Sequence, residues 1–312
     1  IAPKTILVLY LIVSVVAESV WRFYRMNRET KESDRVSAIL TGSGTEVHEL
    51  YDEVNGNNQY RIKFIKHVET NGLPAEIILM NDKNTTLNFA SLYEEIFDRV
   101  PLNHLDADQL LESLPKQRAI YDISKRIFDI ILASVGTIVA IPFIAGAVIA
   151  LSIEGGMPFI HPERIGKEGR TFRLRKLRTM LFNDNGDPEL QKKNRITAFG
   201  RILRKSRIDE LPQLWNVLIG DLSFIGPRPE LPKIAEVYER EVPQYKMRYL
   251  IAPGLSGWAQ IHDYDAPRGP ADVLRTQKKL SFDLYYLKHR SFGLDLAIAI
   301  KTLRTLLSFS GT

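Results

Sequence analysis

The sequence contains no cysteine, which removes disulfide frameworks and thiolate metal sites and fits a reducing compartment. It does not begin with methionine; the first residue is Ile1, and upstream sequence is expected to be missing. It also lacks any recognised nucleic-acid module. That absence matters because the formal net charge is +5 and the pI about 9.2, a balance that suits phosphates, anionic lipid or nucleic acid equally. An uncharged apolar stretch, Ile130–Ile153, is hard to reconcile with a nucleic-acid binder, so no nucleic-acid partner is expected. A length of 312 residues is enough for two or three structural units.

What is present divides into segments. Residues 1–28 hold the apolar run Ile6–Ala17, followed by Trp21, Arg22, Tyr24, Arg25 and Arg28. The run is short for a span and could be a signal-peptide core. The aromatic and basic residues behind it point to a transmembrane helix with a cytosolic stop. Residues 33–85 predict a small, degenerate Rossmann-like α/β unit. Strands are expected at Val36–Leu40, Tyr60–Val68 and Glu76–Met80, and a helix at Glu46–Val54. Gly42-Ser43-Gly44 after the first strand resembles the start of a dinucleotide fingerprint. Val47 stands where the third glycine belongs and no acidic partner follows at the right distance, so a non-binding remnant is the preferred reading. Residues 86–116 predict a helical connector broken at Pro101, with a polar linker at Asn81–Thr86 before it.

The Ile130–Ile153 stretch is long enough to cross a bilayer. Both flanks are basic, with Lys116, Arg118, Lys125 and Arg126 before it and Arg164, Lys167, Arg170, Arg173, Arg175, Lys176 and Arg178 after it. A span would put one cluster on the outer face, against the positive-inside tendency. Pro142 near the middle suggests a helix over about 124–153 that breaks and returns to the same face; a kinked span is the alternative. Alternation in His161–Met180 suggests a basic strand, and Asn183–Lys193 a polar loop. Helical spacing in Pro243–Ile251 and Lys278–Leu307 suits either core helices or a surface resting among lipid headgroups. Trp258, in the turn-rich Pro253–Gln260, could anchor at an interface or stack on a base.

The chemistry concentrates in Ser206–Glu230. Asp209 and Glu210 follow the cations Arg195, Arg201, Arg204, Lys205 and Arg207, and the rigid Gly226-Pro227-Arg228-Pro229 comes after. A carboxylate in a positive field stays ionised. It can hold Mg²⁺ together with substrate phosphates, or act as a nucleophile at phosphorus. The bland alternative is a capping box with Ser206 as N-cap and Asp209 at the third helical position.

From about Tyr121 onward the motifs Lys125-Arg126-Ile127-Phe128-Asp129, Lys176-Leu177-Arg178-Thr179-Met180, Asp209-Glu210-Leu211-Pro212-Gln213, Gly226-Pro227-Arg228-Pro229-Glu230, Pro253-Gly254-Leu255-Ser256-Gly257-Trp258 and Asp283-Leu284-Tyr285-Tyr286 stand in order. In that order they resemble the bacterial sugar transferases, the monotopic polyprenyl-phosphate phosphoglycosyl transferases. The front part resembles the long-form members. The resemblance implies a membrane-associated α/β protein whose residues 117–312 form a mostly helical catalytic domain with a Pro-broken re-entrant helix. It implies transfer of a sugar 1-phosphate from a UDP-sugar to undecaprenyl phosphate with release of UMP, the first membrane step of exopolysaccharide, capsule or O-antigen synthesis. Asp209 matches the nucleophile that forms a covalent phospho-sugar intermediate, and Glu210 the second carboxylate; Mg²⁺ on these two is the expected cofactor. Lys176, Arg178, Arg195, Arg207, Pro227, Arg228 and Pro229 are the expected substrate contacts, with Pro227–Pro229 on the uridine side. Lys125, Arg126, Asp129 and Pro142 are expected at the lipid. The site is expected on the cytosolic face of the bacterial inner membrane, with inner-membrane lipid and a second copy of the chain as further partners.

Overall fold

The computed structural model describes residues 35–70, 74–80, 85–114, 118–182, 188–262 and 272–307. The first apolar run and Lys116 lie outside them. The chain divides into two compact units between Phe97 and Asp98.

In the first unit, β1 (Val36–Thr41), α1 (Thr45–Gly56) and β2 (Ile62–Val68) form a parallel β-α-β turn. β3 (Glu76–Leu79) and β4 (Thr86–Asn88) then add antiparallel strands, giving the order β2-β1-β3-β4. The sheet is therefore mixed: one parallel β-α-β turn followed by two antiparallel strands. Val47, Leu50 and Val54 recur on one face of α1 and pack on Ala38, Leu40, Phe64 and Ile77. α2 (Phe89–Phe97) adds Phe89 and Tyr93 to the same core, so the expected connector begins inside the first unit. The surface along α1 is lined by His48 and by the carboxylates Glu49, Asp52 and Glu53, negative charge that does not suit a dinucleotide diphosphate.

The second unit opens with a 3-10 turn at Leu102–His104 and α3 (Ala107–Ser113), then the long α4 (Ala119–Glu154, 36 residues, about 54 Å). Pro142 lies inside α4, which continues through it as one helical segment rather than breaking there. Proline removes a single backbone hydrogen bond, and the turns on either side keep theirs. Ala133, Ala140 and Ala147, spaced by seven, are buried, while Ile127, Phe128, Ile131, Leu132, Val135, Ile138 and Val139 are exposed. The small residues face the body and the large apolar ones face outward.

The expected single basic strand is two small antiparallel ribbons. β5 (Phe159–Ile160) pairs with β8 (Lys176–Leu177), and β6 (Glu163–Ile165) pairs with β7 (Thr171–Arg173). α5 (Pro188–Lys193) replaces the end of the expected loop. α6 (Ala198–Ser206) starts on Thr197, whose hydroxyl accepts the Gly200 N–H at 2.9 Å. It ends at Arg207, held in the left-handed region at φ 58°. Ser206 thus closes α6 and donates to the Ile202 carbonyl; the capping-box reading is overturned.

A 3-10 turn at Ile208–Glu210 leads into α7 (Gln213–Ile219), β9 (Ser223–Ile225) and α8 (Pro232–Glu241). Next come a 3-10 turn at Tyr245–Leu250, β10 (Gly254–Ser256, parallel to β9) and α9 (Trp258–His262). α10 (Val273–His289) and α11 (Phe292–Leu307) complete the unit. Tyr245, Met247, Leu284 and Leu287 form its largest core with Tyr238 and Leu280. Trp258 is buried and donates to the Asp98 carbonyl, so it is a core residue and not an interfacial anchor.

Candidate active site

The dyad sits on the 3-10 turn between α6 and α7. Asp209 is 1% exposed, whereas the Glu210 side chain is 34% exposed and lines a cavity of about 1310 Å³. Lys176, at the start of β8, places its ammonium 2.8 Å from Asp209 Oδ2 and 3.3 Å from Glu210 Oε1. Asp209 Oδ1 is buried without a hydrogen-bond partner among the described residues.

The environment drives the two carboxyls apart. Burial pushes Asp209 up, and although Lys176 and Arg204 oppose it, the net direction is upward. Burial also raises Glu210, but Lys176, Arg228 and Arg207 outweigh it and the net direction is downward. The positive field thus outweighs burial at Glu210, while at Asp209 burial outweighs the field of Lys176 and Arg204. Paired carboxyls with opposed environments are what acid–base or nucleophilic division of labour requires.

The backbone just before Lys176 is held by Asn216 on α7. The buried Asn216 amide accepts the Arg175 N–H at 2.9 Å and donates to the Arg173 carbonyl at 2.9 Å and to Asp221 at 3.1 Å. α7 is anchored at its other end by Arg126, which donates to the Val217 and Leu218 carbonyls at 2.6 and 2.7 Å. Gly220 caps this helix at φ 97°, and a Cβ there would meet the Arg126 guanidinium at 3.4 Å.

The cavity has two kinds of wall. Arg164, Arg207 and Arg228 give it cations; Phe128, Leu132, Leu214, Phe292, Leu296 and Leu303 give it an apolar side formed by α4, α7 and α11. Pro227 is buried and Arg228 exposed beyond it. Gly226 is obligatory before them, because a Cβ there would lie 2.5 Å from the Ala252 carbonyl oxygen.

Other expected site residues are dispersed. Arg178 donates to the Leu151 and Gly155 carbonyls and so caps the end of α4. Arg195 is exposed beside the Met180–Ile196 bridge and does not line the cavity. Lys125 and Asp129 do line it: Lys125 pairs with Asp295 at 3.1 Å, and Asp129 accepts the Phe224 N–H at 3.4 Å. Pro142 is exposed on the outer face of α4.

Three contributors went unnoticed in the sequence. Asn216 lies within Ser206–Glu230, where the carboxylates and arginines drew the reading. Asp295 accepts from Tyr121 at 2.8 Å and from Tyr286 at 2.7 Å, and a lone acid in the apolar Phe292–Ile300 was its available signal. Arg248 gave none.

Comparison with known proteins bears on this geometry. The profile of the bacterial sugar transferases matches residues 120–309. A UDP-N-acetylgalactosamine-undecaprenyl-phosphate N-acetylgalactosaminephosphotransferase of Aeromonas hydrophila is 39% identical over 223 residues, covering 70% of this chain and 51% of that protein. A UDP-glucose:undecaprenyl-phosphate glucose-1-phosphate transferase of Caulobacter vibrioides is 35% identical over 198 residues, covering 62% and 73%. One of the same name from Xanthomonas campestris is 36% identical over 186 residues, covering 58% and 38%. The chain thus spans about half of the Aeromonas protein and less of the Xanthomonas one. The match falls on the unit that holds the dyad, the cationic wall and the outward apolar helix, and the chain belongs to the bacterial sugar transferase family.

Proposed function

We propose that this chain transfers a sugar 1-phosphate from a UDP-sugar to undecaprenyl phosphate at the cytosolic face of the inner membrane. The observation that carries this is the Lys176-bridged dyad, with Glu210 lining a cavity that also holds Arg164, Arg207 and Arg228 together with large apolar side chains. Both substrates are phosphate esters and one has a lipid tail, so such a cavity suits the pair. The names of the relatives support the same substrate classes.

An Asp209 carboxylate oxygen attacks the sugar-bearing phosphorus of the donor. An O–P bond forms, the bond to the other phosphate breaks, and UMP leaves with the electron pair. Arg207 and Arg228, on the cavity wall, take the charge of the diphosphate, with Arg228 on the nucleotide side. Lys176 moves from the dyad toward the phosphoryl oxygens, which frees Asp209. An oxygen of undecaprenyl phosphate then attacks the same phosphorus and the Asp209 carboxylate is released.

Mg²⁺ fits this site. Asp209 Oδ1 is an orphaned buried acceptor and Glu210 faces the cavity. Two carboxylates suffice for an ion that takes its remaining ligands from water and substrate phosphate. Bound there, Mg²⁺ would add positive charge against the diphosphate.

The same proposal includes monotopic attachment. α4 touches its own unit along its length. Arg118 reaches the Lys288 carbonyl at 2.9 Å, Ala133 packs with Val217 and Leu222, and Leu151 packs with Leu177 and Leu203. A helix bound to one body at both ends does not carry those ends to opposite faces of a bilayer, while its outer apolar face can sink into one leaflet. Single cysteines at Ser124 and Met157 should both react with an impermeant thiol reagent from the cytosolic side alone. Labelling of the two from opposite sides would establish a span.

The covalent step has its own test. The protein is incubated with UDP-glucose, UDP-N-acetylgalactosamine or UDP-galactose labelled in the sugar-bearing phosphate, without lipid acceptor, then denatured and mapped. Label on Asp209 is expected. Label on Glu210, or none while turnover proceeds, would refute the nucleophile assignment.

A further inference from the structure

Behind the Pro227–Pro229 turn lies a buried charge cluster that the transfer chemistry does not use. Arg248, 4% exposed, comes from the 3-10 turn before β10. Its guanidinium pairs with Asp283 of α10 at 2.8 Å and stands 3.7 Å from Glu230. It donates to the Tyr245 hydroxyl at 2.6 Å and to the Arg228 carbonyl at 2.8 Å. Lys279 pairs with Glu230 on its other side. Two cations and two carboxylates balance.

Such a cluster is a poor way to gain stability, because desolvation offsets most of the attraction; it is better suited to fixing one arrangement. The turn it touches has few other anchors. Pro227 and Pro229 have no N–H to donate. The Pro227 carbonyl accepts the Gly254 N–H at 2.9 Å and the Glu230 carbonyl accepts the Ile165 N–H at 3.0 Å. The Arg228 carbonyl, between them, accepts from Arg248, the one side chain among the described residues that bonds to the backbone of this turn. One guanidinium nitrogen, Nη2, faces both Asp283 and the Arg228 carbonyl, while Nη1 meets the Tyr245 hydroxyl and Glu230; a single ammonium would not reproduce that fixed division between two nitrogens.

We propose that Arg248 is a positioning residue for donor binding: seated on Asp283, it fixes the backbone of Arg228 so that the Arg228 side chain meets the nucleotide diphosphate. This rests on the reading above that Arg228 faces the UDP-sugar. Glu230, held down to about 2 against its own burial by Lys279 and Arg248, stays charged and keeps the cluster balanced.

The test uses the full chain in membranes or detergent, with UDP as the binding probe. Arg248→Lys keeps the charge and loses the fork; it should weaken UDP binding by about tenfold, a shift of about 1.4 kcal/mol. KM for the UDP-sugar should rise in step, while KM for undecaprenyl phosphate stays within about twofold. In an Arg228→Ala background Arg248→Lys should add nothing further, because the two act through one contact. Should Arg248→Lys fail to fold, the paired change Arg248→Met with Asp283→Asn removes both charges without stranding either, and the same pattern is expected. Additive losses with Arg228→Ala, or equal weakening for both substrates, would overturn the inference. So would unchanged UDP binding in both variants. A wild-type protein that does not bind UDP would instead overturn the donor-site reading on which it stands.

Discussion

Both units bury an apolar core, but the second buries more charge beside it than the first, which hides only Arg35 and Glu94 among its described residues. The first hides an apolar core of Ala38, Leu40, Val47, Leu50, Val54, Phe64 and Ile77. The second hides Asp129, Asp209, Asn216, Arg248 and Asp283, and turns Phe128, Ile131, Leu132, Phe292 and Leu296 outward. Burying charge and exposing large apolar side chains both cost free energy in water. Both are expected where a polar reaction has to run against a lipid surface. The contrast teaches that the first unit is organised for folding, and that the second gives up part of that economy for a site.

The largest way to test this contrast is Asp209→Asn, which should lower turnover by about 10⁴-fold or more with melting temperature and membrane binding unchanged. Activity within tenfold of wild type would make the buried carboxylate merely structural. Lys176→Met should lower turnover by about 10²- to 10³-fold, the usual effect of losing one preorganised charge. Its effect is read by UMP release at saturating donor.

The outward apolar face is tested by Phe292→Glu with Leu296→Glu. Each removes a side chain worth about 1.5–3 kcal/mol when buried, so the membrane-bound fraction in vesicle sedimentation should fall sharply. Unchanged sedimentation would show that α11 does not meet lipid.

In the first unit the expectation reverses. Leu50→Ala, at a fully buried position, should destabilise that unit by about 2–5 kcal/mol by hydrogen exchange while turnover per folded molecule stays the same.

The smallest effect is on pH. The Glu230 carboxyl is depressed to about 2 from an ordinary 4.5. A depressed carboxylate contributes stability that is present above 4.5 and lost as pH falls toward 2. Melting temperature should therefore drop across that window, and Glu230→Gln should flatten the drop.

Sequence determined what is local. The strand expected at Val36–Leu40 and the helix expected at Glu46–Val54, separated by a Gly-rich turn, fall within a residue or two of β1 and α1, because both signals are carried by neighbours in the chain. An uncharged run fixed the apolar part of α4, and chain adjacency alone made Asp209 and Glu210 neighbours. Tertiary structure decided the rest. The antiparallel direction of β3 follows from how the chain returns, which no residue in Glu76–Leu79 encodes. Lys125 and Arg126 look alike in sequence, yet successive helical positions point about 100° apart. One reaches Asp295 on α11 and the other the end of α7. Arg248 carries no local signature either, and the motif that holds Asp283 does not name its partner. A buried ion pair is made by two surfaces meeting, and its meaning exists only once the fold has brought them to 2.8 Å.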